Sequence, residues 1–203
     1  MFDSFNVWLS VLAISLVCAF LWFLRPRRFP WRFRARVTHV CDGDSIWVRT
    51  WYGQRLKLRL LGIDAPETKQ PSGKSSRDCL NWLIGGRSVE VVAVNRDVYS
   101  RLVCAISYKG QDICLRMIEE GMAWPYFQYM RQLTPLQRQA YRDAYELAKR
   151  EQRGLWRGKN PEMPWEWRRR HRTLWEQFIW WIKRLFGFRL RTNVEAEKPL
   201  LFK

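Results

Sequence analysis

Between residues 34 and 108 apolar and polar positions alternate in short runs. In "RLKLRL", residues 55–60, Leu56, Leu58 and Leu60 share one side of an extended chain, and Arg55, Lys57 and Arg59 share the other. The runs "RARVTHV" (34–40), "SIWVRTW" (45–51), "SVEVVAV" (88–94) and "RLVCAISY" (101–108) read as strands too, and the "YGQ" turn at 52–54 joins two of them. Between the third and fourth strands "SSRDCLNWLIGG" changes to helical spacing, with Cys79, Leu80, Leu83 and Ile84 on one side and a glycine pair at the end. A second helix is predicted in "ICLRMIEEG", stopped by Gly121. A third and longest follows Thr134 as N-cap, with Pro135 in its first turn and Gly154 at its end. Five short strands with one helix between the third and fourth suit a small, partly open barrel better than a parallel sheet. The expected fold class is α+β, a five-stranded β-barrel with about three helices.

The N-terminus has no such alternation. Residues 5–24, "FNVWLSVLAISLVCAFLWFL", hold no charged side chain. At about 1.5 Å per residue a helix of this length spans roughly 30 Å, the thickness of a bilayer's hydrocarbon core. A cleavable signal peptide is the competing reading, but no basic region precedes the run and no small-residue cleavage site follows it. The expectation is a transmembrane anchor over 1–24 and a basic linker over 25–33, broken by Pro26 and Pro30. Six arginines between positions 25 and 36 put the rest of this single-pass chain on the cytoplasmic side by the positive-inside rule, with the exported side as the alternative. After residue 158 comes a basic, Trp-rich segment, 159–203. Within it Leu174, Phe178, Trp181, Ile182 and Leu185 recur at helical spacing, so residues 174–188 suit an amphipathic helix at a lipid surface. Packing of that stripe on the barrel or on a partner chain is the alternative.

Charge adds a partner class. The chain's 203 residues carry 36 Lys and Arg against 19 Asp and Glu, a net charge of +17, which draws polyanions: nucleic acid or an anionic membrane. The five cysteines include no CxxC pair, so a zinc site or a disulfide framework is not expected.

Against this background two short loops gather acids. "VCDGDS" places Asp42 and Asp44 around Gly43, and "LGIDAPET" places Asp64 and Glu67 three positions apart. Clustered carboxylates repel unless arginines or a hard cation relieve them. Asp44 and Asp64 each follow a strand-like run, so the fold can bring them together as oxygen ligands. Ligation without His or Cys favours Ca²⁺ or Mg²⁺ over zinc. Taken alone, "DGD" reads equally well as an ordinary turn. Pro66 stiffens the second loop and holds Glu67 at a fixed distance from Asp64, where a carboxylate can take a proton from water. Arg59 and Arg101 are candidate phosphate grips, though Arg59 also reads as one more exposed strand arginine.

Together "VCDGDSIWV", "LRLLGIDAPET" and "DVYSR", followed by "GMAWPYFQY" and "EQRGLW", resemble the staphylococcal-nuclease-like (thermonuclease) family over residues 34–158. The resemblance implies an OB-type five-stranded barrel and a Ca²⁺-dependent phosphodiesterase acting on DNA and RNA with little sequence preference. It implies Asp44, Asp64 and the backbone carbonyl of Ala65 as metal ligands, Ca²⁺ ahead of Mg²⁺, with Asp42 behind them. It further implies Glu67 as general base, Arg59 and Arg101 as stabilisers of the transition-state charge, and Tyr99 and Tyr129 lining the nucleotide pocket. A second pocket tyrosine falls at Tyr126 or Phe127. Ser100 departs from the family pattern, standing where a glycine is usual beside Arg101. The alternative function is a catalytically silent barrel that holds nucleic acid or a partner at the membrane.

Overall fold

The computed structural model describes residues 29–171, apart from 98 and 159, together with positions 8, 11, 12 and 14–16. Five principal strands form the body: β1 (Trp31–Val40), β2 (Ser45–Thr50), β3 (Arg55–Leu60), β5 (Ser88–Arg96) and β6 (Leu102–Tyr108). A two-residue strand β4 (Ile63–Asp64) follows β3, and β7 (Gln111–Asp112) follows β6. The strand order β3-β2-β1-β5-β6 is closed by a parallel pairing of β3 with β6 through Leu58↔Leu102, Arg59↔Val103 and Leu60↔Cys104. All other pairings among the five are antiparallel, so the result is a mixed five-stranded barrel. Closure leaves no free edge among these strands, which removes the commonest route to edge-to-edge aggregation.

The alternation seen in the sequence sets which way each strand faces. Val37 and Val40 of β1, Leu58 and Leu60 of β3, Val89 and Val91 of β5, and Leu102, Cys104 and Ile106 of β6 are buried inside. Each fully buried side chain of this size contributes about 1.5–3 kcal/mol of transfer free energy. β1 begins at Trp31, three residues ahead of the run that predicts it, and pairs there with Ala93 of β5. Two register shifts, at Val37/His39 in β1 and Ala93/Asn95 in β5, bend the sheet towards closure.

Three helices cover the barrel where the sequence places them. They are α1 (Gly73–Ile84), α2 (Ile113–Glu119) and α3 (Pro135–Arg150). Thr134 and Gln137 form a reciprocal capping box at the start of α3. Asp112 joins two helices with one carboxylate: Oδ1 accepts the amides of Cys114 and Leu115 at the start of α2, and Oδ2 accepts the hydroxyl of Tyr141 in α3 at 2.9 Å. A two-residue strand β8 (Trp124–Pro125) pairs with β4, and a fourth helix, α4 (Pro164–Arg170), follows the barrel domain.

Residues 5–24 lie for the most part outside the described residues. Positions 8, 11, 12 and 14–16 within them are helical and exposed. Among the described residues no helix is long and apolar enough to cross a membrane. The predicted amphipathic stretch 174–188 lies wholly outside the described residues.

Candidate active site

The two acid loops meet at one end of the barrel. Asp42 closes the first as a turn: its Oδ1 accepts the amide of Asp44 at 3.0 Å. "DGD" is therefore both a turn and a presentation device, with the first aspartate folding the loop that delivers the second. Gly43 is required there because a side chain at that position would run into Ser76 of α1 and lie 2.7 Å from Ala65 Cβ. The carbonyl of Asp44 accepts the amide of Leu60 at 2.8 Å, which fixes the loop beside the end of β3. On the other side Gly62, at φ +74, turns the chain from β3 into β4 and brings Asp64 back towards Asp44.

Asp44 and Asp64 are buried, the latter completely, and they converge on one guanidinium. Arg59 donates from Nη1 to Asp44 Oδ1 and from Nη2 to Asp64 Oδ1, the second at 2.6 Å. The amide of Ala65 donates to Asp44 Oδ2 at 2.8 Å, and Ser45 Oγ donates to Asp44 Oδ1 at 3.0 Å. Burial pushes the Asp42 carboxyl above its ordinary range, against the pull of Arg59 and its bonds to Ser45. Glu67 stands at the more open side, its side chain 38 % exposed and its amide bonded to Gln70 Oε1 at 3.2 Å.

Arg101 reaches the same end from the β5–β6 turn. Asp97 organises that turn, accepting the amides of Tyr99 and Arg101 on Oδ1 and Arg101 Nε on Oδ2 at 2.7 Å. Arg101 Nη1 then lies 3.4 Å from Ser45 Oγ, beside Asp44. Ser100 adopts φ 61, the left-handed conformation that glycine takes freely, so the turn keeps its shape at a cost of about 1–2 kcal/mol. The Tyr99 ring is 77 % exposed, with the Arg101 guanidinium 5.4 Å from its centre.

The aromatic wall is Tyr126 with Tyr129, ring centres 4.7 Å apart. Of the two candidates Tyr126 lies nearer the acids: the charges of Asp64, Arg168 and Arg59 act on its hydroxyl, whereas Phe127 lies under Arg142. Burial first, then Tyr129 and Asp64, raise the Tyr126 hydroxyl above its ordinary range.

Arg168, on α4, is a site residue that the motif reading does not contain. Its Nη2 donates to Asp64 Oδ2 at 2.7 Å, and its Nη1 donates to Glu67 Oε1 at 2.9 Å and to Asp64 Oδ1 at 3.3 Å. Burial works against the Arg168 charge, but Asp64 and Glu67 outweigh it and hold its pKa above the ordinary value.

From this end a basic face runs along the outside of the barrel. The register sets Arg59 opposite Ser45, Lys57 opposite Trp47 and Arg55 opposite Arg49. Arg55 and Lys57 hold their charges 5.6 and 5.9 Å from the Trp47 ring centre, and Trp51 at the far tip is 90 % exposed. None of β1, β2 and β3 contains an acidic residue.

Residues 57–158 match the family model described as Staphylococcal nuclease homologue. The chain belongs to this family. The chain is 36% identical to an uncharacterized endonuclease of Haemophilus influenzae over 68% of its own length and 74% of that one. It is also 36% identical to an uncharacterized endonuclease of Escherichia coli, over 66% of this chain and 84% of the relative. A probable staphylococcal-like nuclease of Oryza sativa subsp. japonica shares 36% identity over 66% of this chain, which spans 32% of that longer protein. By family and by its relatives' names the chain is a staphylococcal-nuclease-like nuclease, which implies a nucleic-acid substrate.

The donor set at this site fits a hard divalent cation. Two buried carboxylates converge where a guanidinium's positive charge already sits, and all their donor atoms are oxygens. Among the described residues no cluster of three or more His, Cys, Asp and Glu side chains is assembled for a metal. A cation held here would draw its remaining ligands from backbone oxygen, water or substrate phosphate, as Mg²⁺ and Ca²⁺ sites commonly do.

Proposed function

We propose that the chain is a Ca²⁺-dependent endonuclease that hydrolyses phosphodiester bonds of DNA and RNA with little sequence preference. The observation that carries this reading is the meeting of Asp44 and Asp64 on one guanidinium, with Glu67 beside them and Arg101 across Ser45. Asp44, Asp64 and the carbonyl of Ala65 would hold the cation. When bound, it would polarise a phosphoryl oxygen and neutralise charge that develops there.

The chain's own groups supply the rest. Glu67, the most open of the carboxylates on this set, takes the proton of the attacking water. Arg59 and Arg101 hold the phosphate oxygens as negative charge grows in the transition state, where preorganised cations act most strongly. Asp97 fixes the direction of Arg101, and Asp42 fixes the backbone of Asp44. Tyr99, Tyr126 and Tyr129 offer flat rings to any base, which suits a site indifferent to sequence. The basic face from Arg59 to Trp51 leads the strand in. Residues 5–24 would carry this domain at a membrane, on the cytoplasmic side by the charge rule. Protease protection of the C-terminal domain in sealed vesicles tests that placement, and digestion from the outer side of intact cells would reverse it.

The nuclease reading is tested with the purified full chain on single- and double-stranded substrates, with Ca²⁺ and with chelator. Cleavage should require the cation. Glu67→Gln should lower kcat by about 10²–10⁴ with circular dichroism unchanged. A Glu67→Gln protein as active as the native one would refute the assignment of the base. Tight nucleic-acid binding without cleavage would instead establish the silent binding module.

A further inference from the structure

Both oxygens of Asp44 and of Asp64, and one oxygen of Glu67, accept bonds from within the chain. Asp64 gives Oδ1 to Arg59 and Oδ2 to Arg168, and Asp44 gives Oδ1 to Ser45 and Arg59 and Oδ2 to the amide of Ala65. Glu67 Oε1 accepts from Arg168 as well. A cation that takes Asp64 as a ligand must therefore first break the bonds of Arg168. A water that gives its proton to Glu67 Oε1 meets the same competitor.

The same helix covers the aromatic wall. Trp165, one turn before Arg168, lies over Tyr126 with ring centres 5.6 Å apart and planes 13° from parallel, the arrangement a stacked nucleobase would take. Just ahead of the helix, the carbonyl of Glu162 accepts Gln70 Nε2 at 2.6 Å, and Gln70 Oε1 accepts the amide of Glu67. Gln70 thus ties the covering segment to the loop that carries the proposed base. Away from the site, Glu166, Arg169 and Arg170 border an open groove also lined by Tyr145, Lys149 and Trp156, where Arg170 pairs with Glu162.

We propose that α4 is an intramolecular occupant of the active site: Arg168 stands in for the divalent cation between Asp64 and Glu67, Trp165 stands in for a base on Tyr126, and cation and nucleic acid displace both before cleavage. The arrangement is an autoinhibitory contact built into the chain. It rests on the nuclease reading for the roles of Asp64 and Glu67, but its test does not depend on turnover.

The test measures Ca²⁺ binding to the full chain by isothermal calorimetry, without substrate, for the native protein, Arg168→Gln and Arg168→Lys. Removing partly exposed charge-assisted bonds should tighten Ca²⁺ by about tenfold in Arg168→Gln. Arg168→Lys, which keeps the charge but not the two-pronged geometry, should fall between. Trp165→Ala should bind a short single-stranded oligonucleotide more tightly than the native chain in chelator, read by fluorescence anisotropy. Tighter Ca²⁺ in Arg168→Gln supports the occupant even if neither protein cleaves, a result that would overturn the nuclease reading alone. Unchanged or weaker Ca²⁺ binding in Arg168→Gln overturns the occupant even if both proteins cleave. A fall in kcat at unchanged Ca²⁺ affinity also overturns it, making Arg168 a contact to substrate.

Discussion

Replacing Arg59 with Met removes the positive charge between Asp44 and Asp64 while keeping most of the side chain's apolar stem. The Arg59 side chain is 14 % exposed, and those of the two aspartates are 6 % and 0 % exposed, so solvent screens the trio little. Removing one partner of a buried ion pair costs about 3–5 kcal/mol, because the remaining charge is stranded. Here Asp64 keeps Arg168 and Asp44 keeps Ser45 and the amide of Ala65, which places the cost at the lower end, about 3 kcal/mol. For a chain of this size that corresponds to a fall in Tm of about 6–12 °C. Ca²⁺ should narrow the gap, since a cation at about 100 times its Kd returns roughly 2.7 kcal/mol and Arg59 no longer competes for its ligands. Differential scanning calorimetry of both proteins, in chelator and in Ca²⁺, reads both effects. A fall of less than about 2 °C in chelator would refute the buried-pair argument, given that each kcal/mol is worth about 2–4 °C. An equal gap with and without Ca²⁺ would refute the claim that the two carboxylates share a cation.

Gly43→Ala should destabilise by about 1–3 kcal/mol by overpacking against Ser76 and Ala65 and should lower activity more than stability, since it displaces Asp44. Adding Ser76→Ala should recover only part of the stability in urea titrations, because the clash with Ala65 remains; full recovery would show that Ser76 alone sets the constraint. Stability should also fall with rising pH above about 9. Burial raises the folded-state pKa of Cys104, Cys114 and Tyr141 far above their ordinary values of 9.0, 9.0 and 10.0. Above those values the unfolded chain loses protons that the folded chain keeps, so each group takes away up to about 1.4 kcal/mol per pH unit. Below pH 8 these three add no slope, and a flat urea-unfolding profile from pH 8 to 10.5 would contradict their burial. On the basic face, the double variant Arg55→Gln, Lys57→Gln should weaken oligonucleotide binding in chelator. It should also flatten the salt dependence by about 0.7 in log–log slope for each phosphate that is no longer neutralised. An unchanged slope would mean that the strand takes another route.

The strands, the three covering helices and the convergence of the two acid loops were legible because each rests on local chemistry. Leucine–basic alternation marks β3, and Thr134 with Pro135 marks the start of α3. Asp44, Arg59 and Asp64 sit next to strand ends, where a short motif fixes direction. The turn reading of "DGD" holds, through the bond from the Asp44 amide to Asp42, and the same turn leaves the Asp44 carboxylate facing Arg59. The start of β1 was missed because Trp31–Phe33 are held in the strand by pairing with Val91–Ala93, some 60 residues away, rather than by alternation. Arg168 was hidden for a different reason. It is the first of three consecutive arginines, and its partners lie 104 and 101 positions earlier, so sequence alone does not say which arginine turns inward. "MPWEW" does announce a helix through proline at its first turn, and Trp165 and Arg168 stand three apart on it.

The closure of β3 on β6 also has a kinetic side. Leu58 meets Leu102 across 44 positions and Trp31 meets Ala93 across 62, whereas the β2–β3 hairpin and the β5–β6 pair join near neighbours in sequence. Pairings that close a long loop carry the larger entropic cost and form later. Arg101 arrives beside Ser45 only when that seam shuts, so the cutting groups assemble at the end of folding rather than along the way. A half-made chain therefore carries the motifs without the assembled centre, and any cleavage waits until the barrel is whole.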